Sequence, residues 1–310
     1  MRKSTLMTPL VVIMGILGCS IVFSTTGQAQ EKITPNQVYQ VTEDILNQLD
    51  RMHDANLTKA DFSSARLEIP QRLPRHVIQQ AFAVRDKIQT LKRINSMERE
   101  EIPAPPVREV QPADVINVVR KILEELVSFD QAYGLSPFKP SAKLPSDKTP
   151  TDVYINLLKA ERMIVQLGIP DTVPNEVFNK ASLIAQELEF IRIAQGKTEP
   201  IDPPSASIGK KPADAYSLAY YALKGLHGLA KKPEFKIPGG VIVPKRLKKD
   251  VRPNDVQQLL LYCLAELSSM KVAVKAKDKL IMLPPAAGQT PSTVFDKLGL
   301  INRQIQSMQW

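Results

Sequence analysis

Pro112-Ala113-Asp114-Val115-Ile116 stands 100 residues ahead of Pro212-Ala213-Asp214-Ala215-Tyr216, and residues 73–130 and 173–230 align around this pair without a gap. Identical residues recur at Pro74 and Pro174, Val77 and Val177, Ala81 and Ala181, Leu123 and Leu223, and Leu126 and Leu226. The shorter motif inside the alignment is a proline, two mostly polar residues and then an apolar one. It begins eight times, at Pro35, Pro74, Pro112, Pro150, Pro174, Pro212, Pro253 and Pro291. Self-similarity of this kind marks an internally repeated architecture.

The physics of a helix start accounts for the motif. Proline at the first helical position has its φ already set and loses no hydrogen bond there. Thr34, Thr149 and Thr290 precede their prolines and read as N-caps. Asp114, Asp152, Glu176, Asp214 and Asp255 occupy the third helical position, where an acid returns a hydrogen bond to the cap and suits the positive end of the helix dipole. Their recurrence at one structural position points to capping and not to catalysis.

Behind each start, apolar residues fall in steps of three and four, as in Val38, Val41, Ile45, Leu49 and Met52, or Val153, Leu157, Ala160, Ile164 and Leu167. That spacing belongs to a helix with one buried face. Helices of about 20 residues, roughly 30 Å long, cannot bury such a stripe alone and must stack on neighbours. The expected fold is therefore all-α: about eight amphipathic helices in duplicated repeats, arranged as an α-solenoid-like array or an irregular bundle. Grouped by their prolines, they predict one unit over 31–148, a second over 149–250 and a truncated third over 251–310. Long proline-rich linkers such as 135–148 and 231–251 should run extended across the helices, with Ile237, Val241, Ile242 and Val243 docking.

Residues 1–30 read as a targeting segment, with Arg2 and Lys3 at the positive start, an apolar stretch from Leu10 to Phe23 and the small-residue exit Gly27-Gln28-Ala29. The chain is expected to be exported, as a periplasmic or secreted bacterial-type protein without a membrane span in its mature form. Ile16-Leu17-Gly18-Cys19 also resembles a lipobox, which makes Cys19 a candidate lipidation site and a membrane anchor the alternative.

The remaining cysteine, Cys263, lies in an apolar run and reads as a buried small hydrophobe. The three histidines, His53, His76 and His227, have no metal-ligand spacing, and neither a cofactor nor a metal is expected. No nucleophile elbow, phosphate loop or metalloprotease helix is present, so no enzymatic activity is expected.

The formal net charge is +9, and its asymmetry is concentrated between Lys210 and Lys279, with 15 basic against 6 acidic residues. Lys245, Arg246, Lys248, Lys249 and Arg252 are its densest part and the candidate contacts for an anionic partner. Nucleic acid fits the charge but not the exported address, and no stacking aromatics or nucleic-acid motif accompany it. The expected role is a scaffold or binding protein that engages another macromolecule of the cell envelope, in first place a protein. Anionic lipid or glycan held at the basic region is one alternative; a small ligand between the repeats is the other.

Overall fold

A computed structural model describes residues 32–63 and 69–309, and within them the chain is all-helical, with no strand. The helices are α1 (Pro35–Ala55), α2 (Pro74–Ile94), α3 (Pro112–Val127), α4 (Pro150–Gln166), α5 (Pro174–Ala194), α6 (Pro212–Leu229), α7 (Pro253–Ala273) and α8 (Pro291–Ser307). Each of the eight prolines opens one of them. Residues 1–31, where a targeting segment and Cys19 are expected to act, and Trp310 lie outside the described residues.

Capping follows one scheme at seven of the eight starts. The side chain at the third helical position turns back and accepts from the backbone N–H of the residue before the proline. Asp114, Asp152, Asp214 and Asp255 do so at 2.8 Å, Gln37 at 2.6 Å, His76 through Nδ1 at 3.1 Å and Thr293 at 3.0 Å. Glu176 departs from expectation, because its carboxylate instead accepts from Lys87 Nζ at 2.8 Å, across from α2. Thr34 departs too: its hydroxyl donates to Gln37 Oε1, while Thr149 and Thr290 accept from the third-position N–H as caps do. We expect Asp114→Ala or Asp214→Ala to lower unfolding free energy by about 1 kcal/mol in a urea titration, the ordinary cost of a lost cap.

Packing sorts the helices four and four. In the first set α1 and α2 each contact both α3 and α4, and in the second α5 and α6 each contact both α7 and α8. Pro35, Pro74, Pro112 and Pro150 ring one shallow depression floored by Val38, Val77, Val115 and Val153, so four helix N-termini lie at one end. Pro174, Pro212, Pro253 and Pro291 ring a second. Each set is therefore a four-helix bundle with all helices parallel. This differs from the three-helix units expected at 31–148 and 149–250 and the truncated one at 251–310. An alignment at offset 100 compares start signals, which all eight helices share, whereas bundle membership is decided by which apolar faces bury one another.

Parallel packing also explains the long linkers. To begin the next helix at the same end, the chain must return along the roughly 30 Å it has just climbed, which takes about ten residues of extended chain. The connections 56–73, 95–111, 128–149, 195–211, 230–252 and 274–290 all exceed that. An extended strap has no internal hydrogen bonds, so helix side chains supply them. Asp44 Oδ1 accepts from Ser141 N and Ala142 N at 2.9 Å, and Asn36 Oδ1 from Lys148 N at 2.8 Å. In the second bundle Asn179 accepts from Ala286 N and Asn175 from Gln289 N. Phe235, Ile237 and Val241 are buried in the core, with Val243 packed partly against it.

Only residues 167–173, between α4 and α5, are too short for a return, so the second bundle starts where the first ends and runs the other way. The seam between the bundles is α2 against α7. Arg75, near the start of α2, meets Glu266 late in α7, while Gln80 meets Gln258 near the start of α7, which fixes the two helices as antiparallel. Both helices consequently bury most of their surface.

Candidate ligand-binding site

The seam is polar although it is buried. Glu266, fully enclosed, accepts from Arg75 Nε at 2.8 Å, His76 Nε2 at 3.0 Å and Ile242 N at 3.2 Å. Arg75 completes its donors on the carbonyls of Pro238 (2.8 Å) and Gly240 (2.7 Å). Because His76 Nδ1 accepts from Leu73 N, the neutral ring carries its proton on Nε2, where it donates to Glu266. Burial pushes the His76 imidazolium below its ordinary range despite the pull of Glu266, and burial of Glu266 is outweighed by His76 and Arg75, which hold its carboxyl down.

This lowered His76 value fixes a direction in pH. The unfolded chain takes up the imidazole proton at about 6.5 and the folded chain at a lower pH, so the contribution is complete above about pH 6.5 and is lost as pH falls toward the folded value. Glu161 and Glu187, whose carboxyls burial pushes up, act in the opposite sense at lower pH. The expected result is a fall in the urea midpoint of the natural chain between about pH 7 and pH 5, part of which His76→Gln, able to keep both hydrogen bonds, removes.

Beside this seam lies a cavity of about 190 Å³ between α4, α7 and the segments around Pro70 and Pro244. Arg72 borders it from the strap leading into α2, where its backbone N–H is anchored on Thr151 Oγ1 at 2.8 Å. The side chain is fully buried, with the guanidinium carbon 3.8 Å from the Tyr262 ring centre and 5.7 Å from that of Tyr154. Its Nε, Nη1 and Nη2 have neither solvent contact nor a hydrogen-bond partner among the described residues.

The acids around the cavity are already engaged. Glu161 accepts from Gln80 (2.6 Å) and Gln257 (3.5 Å), and Asp171 lies 4.0 Å from Arg162. Asp255 is the cap of α7. The Nε of Arg162 is, like the Arg72 nitrogens, buried and unpartnered. Of the five basic residues singled out from the sequence, Lys245 and Arg252 line the cavity. Arg246 turns to α6, with its guanidinium carbon 5.7 and 5.5 Å from the Tyr220 and Tyr221 ring centres and Nη2 on Ser217 Oγ at 2.9 Å. Lys248 and Lys249 are exposed on the strap between them.

Charge density in the sequence thus reached two members of the site and missed Arg72, Arg162, Tyr154 and Tyr262. The segment Ile69-Pro70-Gln71-Arg72-Leu73-Pro74 carries no signal that its arginine is enclosed. Tyr154 and Tyr216, in the first turns of α4 and α6, are buried in the core; the Tyr216 hydroxyl also accepts from Leu247 N at 3.1 Å, which holds the basic strap against α6.

Elsewhere the titratable groups have structural work. His53 Nε2 faces the Met163 carbonyl at 3.0 Å and His227 Nδ1 the Val241 carbonyl at 3.0 Å. Cys263 is a buried free thiol whose ionisation burial pushes far up. Among the described residues no group of three His, Cys, Asp or Glu side chains is placed to hold a metal, and no helix is long and apolar enough to cross a membrane. No protein-family model, no curated protein and no solved structure matches the chain.

Proposed function

We propose that this protein is a non-enzymatic binding protein of the cell envelope that holds an anionic group in the cleft between its two bundles. The observation that supports this reading is Arg72. A guanidinium stays charged at any physiological pH, and removing it from water without a counter-ion costs several kcal/mol, of which desolvated stacking on tyrosine returns about 2 kcal/mol or somewhat more, leaving its N–H donors unmet. An anion in the adjoining cavity supplies the missing charge, with Arg162, Lys245 and Arg252 drawing it in.

Macromolecular scaffolding, the broader expectation from the sequence, has the exposed Lys248 and Lys249 in its favour. The test is a thermal-shift series on the full chain with sodium salts of acetate, benzoate, phosphate and sulfate against chloride at constant ionic strength. Stabilisation by one class of anion, growing with the logarithm of its concentration, is the expected result. Equal melting curves in every salt sink the reading.

A further inference from the structure

Resting on that cleft, we infer that its ligand is an organic monocarboxylate with a short apolar body, enclosed in the cavity as a molecule and not touched as a surface. Three features point to this class. The first is size: about 190 Å³ of space is more than ten times what one water needs, which suits a body of roughly ten non-hydrogen atoms and is far too large for an inorganic anion alone. The second is lining. Ile69, Leu158, Val165, Leu247 and Leu259 form apolar walls around the polar groups, as a ligand with a hydrocarbon part requires.

The third is charge. Four basic residues, Arg72, Arg162, Lys245 and Arg252, border the cavity together with three acids, Glu161, Asp171 and Asp255. By this count one positive charge is in surplus, and Arg72 is the fully buried base among them, with no hydrogen-bond partner for its guanidinium among the described residues. A monoanion balances it. A phosphate monoester brings close to two negative charges among three carboxylates and is disfavoured. The guanidinium lies with one face on Tyr262, and its planar N–H fork matches the two oxygens of a carboxylate in a bidentate way that lysine cannot reproduce. Its nitrogens are sealed from solvent, so a carboxylate reaches them only as the segment around Arg72, whose backbone N–H is bonded to Thr151 Oγ1, yields.

The experiment is isothermal titration of the full chain with benzoate, hexanoate, benzamide, phenyl phosphate and inorganic phosphate, together with sedimentation on phosphatidylglycerol vesicles. Benzoate or hexanoate should bind and benzamide, which lacks the charge, should not. Arg72→Lys should weaken the carboxylate by about tenfold or more, because the fork is lost. Leu158→Trp, which fills the cavity and leaves Arg72 in place, should abolish binding even if Arg72 variants fold poorly. Binding of phenyl phosphate in preference to both carboxylates overturns the ligand class and leaves the anion cleft standing. Absence of binding by every anion overturns the cleft as well. Salt-sensitive vesicle binding that Leu158→Trp leaves unchanged, without carboxylate binding, replaces both with a surface contact through the lysines.

Discussion

Glu266→Ala is expected to lower the unfolding free energy by about 3–5 kcal/mol, as a shift of the urea midpoint at pH 7 with unchanged slope. The carboxylate is fully buried and receives Arg75, His76 and the Ile242 N–H. Alanine leaves the Arg75 charge enclosed with only two carbonyls for company and orphans a histidine donor and a backbone N–H. It also opens a void at the α2–α7 seam, the main contact between the bundles. Glu266→Gln, which keeps an acceptor but not the charge, should fall between the alanine variant and the natural chain. A loss below about 1 kcal/mol for the alanine variant contradicts the view that this carboxylate joins the bundles.

Arg72→Met is expected to act in the opposite direction, raising the unfolding free energy by about 1–2 kcal/mol in the absence of added anion while removing carboxylate binding. Replacing even a paired buried charge cluster with apolar side chains is neutral or stabilising by about 1–4 kcal/mol, and Arg72 has no carboxylate partner to lose; the lost guanidinium–tyrosine stacking takes back part of the gain. Methionine is flexible enough to fill the space against Tyr154 and Tyr262 and makes favourable sulfur–aromatic contacts. A gain in stability with a loss of binding is the pattern of a residue kept for its ligand and not for the fold. If the variant melts below the natural chain, the guanidinium is compensated in a way that makes a ligand unnecessary.

The contrast between these two arginines shows why the site was hard to foresee. Arg72 and Arg75 stand three residues apart in one strap and helix start, with no difference in local pattern. One meets Glu266, 191 positions further on, and the other meets no carboxylate among the described residues. Nothing in the local sequence says which is paired, because the pairing depends on how α7 is laid against α2. Lys245 and Arg252 were legible as candidates only because they crowd together in sequence, and crowding says nothing about which of the five basic side chains faces a cavity. Likewise Gly225 looks unfavourable in a helix, yet a Cβ there would stand 2.7 Å from Ile305 Cγ2 on α8; the glycine is the condition for close packing of α6 on α8.

What the sequence by itself determined is local: where helices begin, since proline, cap and third-position acceptor act within one turn, and which stripe of each helix is apolar, since a 3.6-residue period is visible in a single segment. Tertiary structure alone decided that the helices of each bundle all run parallel, that the grouping is four and four, and that the seam buries charge. Those outcomes depend on which of several similar apolar stripes face one another and on strap paths across sequence separations of around a hundred residues. The enclosure of Arg72 belongs with them, because burial is a property of the neighbours a residue acquires and not of the residue.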